Sequence, residues 1–228
     1  MIFIGLDDTD TLESRGTGHL ARQVAGALSA ECTVWGVTRH QLLVDPRVPY
    51  TVKNSSAAVL LDANSCLDLD VLLDQIQAVM LEHYNPGSDP GLCIARLVPE
   101  AVTVFGHRAQ RELVTQDEAR ELATEHEISL VGLGGTEDGV IGALAAVGLA
   151  ACGDDGRYVL VGRSRELSGL QPVSAVLAAG VSLVCTLDSQ PINDGMVLTD
   201  KLRPARRGGQ PVVFVERVGD HWQPLRLD

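Results

Sequence analysis

Residues 7 to 10, Asp-Asp-Thr-Asp, set three carboxylates into four positions directly behind the apolar run Met1 to Leu6. Like charges this close repel, so such a cluster is tolerated in open solvent or around a cation. Side chains alternate in an extended segment, which puts Asp8 and Asp10 on one face about 6–7 Å apart and turns Asp7 the other way. Carboxylates so spaced can hold a hard divalent ion through its waters, as magnesium prefers. Asp8 and Asp10 are therefore the candidate metal ligands that the spacing offers, and an Asx-rich turn capping the next helix is the competing explanation. Gly16-Thr17-Gly18 follows at a predicted helix start. Glycines there let backbone N–H groups approach a ligand, the helix dipole favours an anion such as phosphate, and the Thr17 hydroxyl would point at it. No GxxxxGK[ST] run occurs, so this is not a P-loop.

Two further stretches could carry phosphate. Gly134 and Gly135, in "GLGGTEDG", enter a helix and either close over a second phosphate or let that helix pack tightly on a strand. Lys53, one of two lysines in the chain, lies in a Pro-bounded loop and is either a phosphate point charge or a surface residue. His19 reads as a half-buried neighbour of the helix start rather than a catalytic base. Lys201, Arg203, Arg206 and Arg207 form a local basic run, read as a solvated loop in preference to an anion patch.

The elements that must position these groups follow from periodicity. Residues 2–6 read as a buried strand and 17–29 as a helix with Leu20, Ala21, Val24 and Leu28 on one face and Thr17 capping its start. Strands are expected at 32–44, 56–63, 91–97, 127–135, 157–163, 181–188 and 211–218, and helices at 68–83, 99–110, 116–126 and 136–152, the last apolar on nearly all sides. This order predicts a mixed α/β (α+β) chain. With 228 residues and 45% hydrophobic content it can bury one core or two adjoining ones, as a compact unit of two lobes meeting near residue 110. Cys32, Cys66, Cys93, Cys152 and Cys185 form no CxxC pair and are expected as core thiols in a reducing cytoplasm. No apolar run reaches the roughly 20 residues of a membrane span. The net charge of −12 argues against a long contact with nucleic acid by this chain alone and for small-molecule or metal chemistry.

Several of these stretches resemble one family. Gly5-Leu6-Asp7-Asp8-Thr9-Asp10 followed by Gly16-Thr17, "DPRVPYTVKNSSAAV" at 45–59, Asn85-Pro86-Gly87 and "DGVIGALAAVG" at 138–148 are similar, in order, to motifs of archaeal isoleucine tRNA 2-agmatinylcytidine synthetases. The resemblance implies a mixed-sheet kinase-like domain packed with a ferredoxin-like domain, use of ATP and magnesium, and metal and ATP contacts at Asp7, Asp8 and Asp10. It also makes Thr17 the match to a threonine phosphorylated from ATP, and Lys53 the match to an arginine. The sequence departs from the motifs at Thr51 and Val52, at Asn54-Ser55-Ser56, and at Asp138, where the family has arginine. The family's OB-fold and zinc ribbon find no counterpart in these 228 residues.

The resulting expectation is an ATP- and magnesium-dependent transferase or ligase acting on a small substrate, with Asp8, Asp10 and Thr17 catalytic and Gly16, Thr17, Gly18, Lys53, Gly134 and Gly135 contacting the nucleotide. A non-catalytic nucleotide-binding module is one alternative. A haloacid-dehalogenase-like phosphatase is another, with Asp8 as nucleophile, Asp10 as acid/base and Gly153-Asp154-Asp155 as a late acidic motif, although Leu12 stands where that loop needs threonine or valine.

Overall fold

A computed structural model describes residues 1–64, 68–83 and 85–227. Cys66 lies outside the described residues; Cys32, Cys93 and Cys185 are buried and Cys152 is half-buried, as expected. The first six elements are β1 (Ile2–Asp7), α1 (Thr17–Leu28), β2 (Val34–Gln41), β3 (Ser55–Leu61), α2 (Leu69–Glu82) and β4 (Gly91–Ala95). The four strands pair antiparallel in the order β4-β1-β3-β2. A βαββαβ run with this strand order is the ferredoxin-like arrangement. The stripes Leu20, Ala21, Val24 and Leu28 of α1 and Leu72, Ile76 and Met80 of α2 cover one face, closing over Ile2, Ile4 and Leu6.

The other face is covered by the next elements, α3 (Glu100–Ala109), α4 (Gln116–Glu125), β5 (Ser129–Gly132) and α5 (Gly139–Cys152). β5 extends the sheet beside β4. α5 is buried along nearly its whole length, because the sheet lies on one side and α3 on the other. Small residues make that possible. A Cβ at Gly5 would come within 1.9 Å of the Ala143 carbonyl oxygen, so only glycine lets β1 and α5 meet backbone to backbone. β1 thus has both faces covered, which is why its sequence is an uninterrupted apolar run. Val102, Phe105 and Ala109 share one core cluster with Ala119, Ala123 and Leu144, on either side of residue 110.

β6 (Arg157–Leu160) joins the sheet beside β2. Beyond it, β7 (Leu170–Pro172), α6 (Val173–Ala178), β8 (Leu183–Cys185), β9 (Met196–Leu198), β10 (Ala205–Arg207), β11 (Gln210–Val218) and β12 (His221–Pro224) enclose a separate cluster of Val173, Val176, Val184, Val197, Val213 and Val215. The mixed α+β class is as expected, with β6 and β10 continuing the ferredoxin-like strands into one large mixed sheet. The basic run at 201–207 is not the solvated loop expected. Arg206 is 3% exposed, donates to the carbonyls of Ala150 and Gly209, and so satisfies the C-terminal end of α5.

Candidate active site

β1 delivers Asp7 to the edge of the core, against the N-terminal turn of α5. A Cβ at Gly142 would lie 1.7 Å from Asp7 Oδ2, so the missing side chain of Gly142 is the seat of that carboxylate. Burial first, and then the charges of Asp8 and Asp10, push the Asp7 carboxyl up to about 7, against the opposing pull of the Asp8 amide. Asp8 turns the chain with φ of 48°, a left-handed conformation that non-glycine residues seldom adopt. Its carboxyl is raised to about 6 by burial and then by Asp89 and Asp10. The strand therefore stops at Asp7, and the expected pairing of Asp8 and Asp10 on one extended face gives way to an irregular loop that Asp8 opens in a left-handed conformation.

Asp10 has a different task. Its Oδ1 accepts from the Thr17 amide at 3.2 Å and from the Thr17 hydroxyl at 3.0 Å, while Oδ2 accepts from the Thr51 hydroxyl at 2.9 Å. Thr17 was expected to cap α1, but it is the first residue of the helix, and the cap position, Gly16, offers no side chain. The orphan amide of Thr17 is met from outside the helix by Asp10. One carboxylate thus ties the loop after β1, the start of α1 and the loop between β2 and β3 together.

Two cavities flank this junction. The first, about 340 Å³, is lined by Asp7 and Asp8, by apolar Leu42, Val48 and Ile141, and by Asp138. The second, about 620 Å³, is lined by Asp10 and Thr17, by six arginine and lysine side chains, and by neutral residues such as Ser14, Thr51 and Val159. A narrow cleft bordered by Asp7, Asp8, Asp10, Thr17, Lys53 and Tyr50 lies at the same junction. The expected residues Asp7, Asp8, Asp10, Thr17 and Lys53 are therefore brought together, and Gly16 and Gly18 border the basic cavity. A Cβ at Gly16 or Gly18 would meet nothing closer than 3.9 Å, so neither glycine is demanded by packing.

Gly134 and Gly135 line neither cavity nor the cleft, and Gly135 has a packing duty. Gly135 has φ of 60°, and a Cβ there would strike Asp89 Oδ1 at 1.6 Å. The same oxygen accepts from the Thr136 amide at 2.8 Å. The anion held by this glycine loop is the chain's own Asp89. Gln116 Nε2 donates to Asp138 Oδ1 at 2.7 Å, which fixes that acid on the wall of the first cavity. His19 is half-buried, and its ring is held below the usual imidazole range by burial and then by Arg15 and Arg22. Among the described residues no group of three or more His, Cys, Asp or Glu converges into a ready metal cage.

The phosphatase alternative fails on geometry. β1 is flanked on both sides by antiparallel strands instead of parallel ones. Asp154 and Asp155 follow the C-terminus of α5, whereas Asp7 meets its N-terminal turn, and a helix of 14 residues separates the ends by about 20 Å. Asp155 is engaged there with buried His40 Nδ1 at 2.6 Å, and His40 Nε2 with Thr38 at 2.9 Å.

No family model matches the chain. An uncharacterized protein of Methanocaldococcus jannaschii is 26% identical over 151 residues, covering 65% of this chain and 50% of the relative. The tRNA(Ile2) 2-agmatinylcytidine synthetase TiaS of Pyrococcus horikoshii is 30% identical over 164 residues, covering 65% of this chain and 35% of the synthetase. The chain thus spans between a third and a half of these relatives. The solved TiaS–tRNA(Ile2)–ATP complex superposes with a TM-score of 0.57 at 25% identity, over 64% of this chain and 36% of that one. Because a neighbour of this fold is complexed with tRNA, net charge alone gives no ground for excluding nucleic acid. In sequence and in fold, about two thirds of this chain resembles part of the agmatinylcytidine synthetase TiaS.

Proposed function

We propose that this chain is an ATP-dependent transferase or ligase core that binds magnesium and ATP at the Asp7–Asp8–Asp10 loop and phosphorylates Thr17 on the way to a small acceptor. The reading rests on one observation: the Thr17 hydroxyl, on the wall of the cleft that Asp7 and Asp8 share, donates to Asp10 Oδ1 at 3.0 Å. A hydroxyl becomes a phosphoryl acceptor when a carboxylate within hydrogen-bond reach can take its proton. Asp10 has that position, and its second oxygen is anchored by Thr51, so the acceptor and its base are held as a unit.

Asp7 and Asp8 suit a hard cation. Both are half-buried and their pKa values are raised by burial and by neighbouring carboxylates, so a divalent ion would relieve the repulsion between them. Magnesium takes one or two carboxylates and completes its shell with phosphates and water, so these two residues suffice without a larger cage. When bound it supplies charge neutralisation for the transferred phosphoryl group. Lys53 borders the same cleft as a phosphate point charge. Support for ATP comes from the resemblance to TiaS, which has been solved with ATP.

A second reading, a nucleotide-binding module without turnover, is favoured by Asp138, a negative charge near Asp8 where the similar motif carries arginine. Incubation with γ-labelled ATP and magnesium, followed by peptide mapping, separates the two. The enzyme reading expects label on Thr17, lost in Thr17→Val while nucleotide binding persists. Nucleotide binding without label in the wild type supports the module instead.

A further inference from the structure

In a chain with a net charge of −12, the cavity of about 620 Å³ is lined by Arg15, Arg22, Arg39, Lys53, Arg157 and Arg203, with Asp10 its one acidic lining residue. These cations arrive from the loop after β1, from α1, β2, the loop after β2, β6 and the segment before β10, so the fold assembles what no run of sequence displays. Both Asp10 oxygens are hydrogen-bonded by Thr17 and Thr51, and its single negative charge faces six cations. Among the described residues no carboxylate pairs with Arg15, Arg22, Lys53 or Arg203.

We propose that this basin is the seat of a compact, multiply phosphorylated small molecule, distinct from the nucleotide at Asp7 and Asp8, and therefore names the chemical class of the acceptor. The inference rests on the nucleotide reading only for the word acceptor; the anion site stands on the cavity itself. Concave placement of Arg15, Arg22 and Arg203 with no carboxylate partner among the described residues is costly in the absence of an anion, since like charges focus their field into a low-dielectric recess. Burial and neighbouring arginines hold Arg22 and Arg203 below the usual guanidinium range, the signature of that crowding. A compact ligand is the size that a recess of about 620 Å³ encloses. Thr17 borders both this basin and the Asp7–Asp8 cleft, so a group carried by Thr17 would face the ligand.

Titration with inorganic tripolyphosphate, without magnesium or nucleotide, tests the site. Wild type should bind it, the double variant Arg22→Gln/Arg203→Gln should lose about tenfold per arginine, roughly 1.4 kcal/mol each, and Arg22→Lys/Arg203→Lys should keep most of the affinity. Melting temperatures of both variants establish that they fold. Tripolyphosphate binding should survive saturation with magnesium and ATP, and should survive Asp8→Ala even if nucleotide binding is lost. Displacement by ATP would overturn the proposal by making the basin the nucleotide's own phosphate site. Displacement by an RNA oligomer that binds more tightly would overturn it in favour of nucleic acid, and no tripolyphosphate binding by the wild type would end it.

Discussion

Replacing Asp7 by Asn should stabilise the protein, and by more as the pH rises. The Asp7 carboxyl is raised from 3.8 in the unfolded chain to about 7 in the folded one, chiefly by burial. A carboxyl shifted upward favours the folded state fully below its unfolded pKa, and that contribution is lost as pH climbs through the folded pKa. Each pH unit spent between the two values costs about 1.4 kcal/mol for one proton, so the rise from about pH 5 to about pH 7 is worth at most about 3 kcal/mol. The open side of the cavity and the coupling to Asp8 reduce the measurable difference to about 1–2 kcal/mol. Asn fills the same seat against Gly142 and does not ionise, so the variant escapes the loss. Urea unfolding of wild type and Asp7→Asn at intervals from about pH 5 to about pH 8 reads this directly. The stability gap should widen up to about pH 7 and then level off. A gap independent of pH, or a variant whose deficit grows with pH, would refute the assignment of Asp7 as a carboxylate held against its charge.

Other perturbations have defined outcomes. Gly142→Ala puts a methyl 1.7 Å from Asp7 Oδ2 and should destabilise by about 1–3 kcal/mol despite the better helix propensity of alanine, with magnesium-dependent nucleotide binding lost in titration. Asp10→Ala strands the Thr17 amide and the Thr17 and Thr51 hydroxyls, which should cost about 1–3 kcal/mol in urea unfolding and make the loop after β1 sensitive to limited proteolysis. Arg206→Met should cost at least about 2 kcal/mol in thermal unfolding, because the Ala150 and Gly209 carbonyls lose a charged donor.

The part of the fold that positions the site was legible in the sequence because its elements are long and periodic. The run Ile2 to Leu6, the stripe Leu20, Ala21, Val24 and Leu28, and the all-apolar α5 each state their environment through pattern alone. In the C-terminal part the apolar runs of β6, β8 and β11 were legible, whereas β7, β9 and β10, three residues long, and α6, six, are too short for any period to register. At the site, residue types were legible and partnerships were not. Asp10 caps α1 across seven residues, and Asp89 fills the Gly135 loop from far upstream in the chain, contacts that only the tertiary fold creates. The basic cavity escaped for the same reason: its six cations are spread from Arg15 to Arg203, whereas the basic run that sequence does display contributes only Arg203 to it. Thr51, itself a departure from the similar family's motif, gave no signal beyond being a hydroxyl in a Pro-bounded loop.

The central claim is that the carboxylates after β1 hold a magnesium nucleotide, and calorimetric titration of ATP with magnesium into wild type and Asp8→Ala tests it most directly. The account predicts metal-dependent binding by the wild type, at millimolar nucleotide or tighter, and none by the variant. No binding by the wild type, or the same affinity in both proteins, would contradict it.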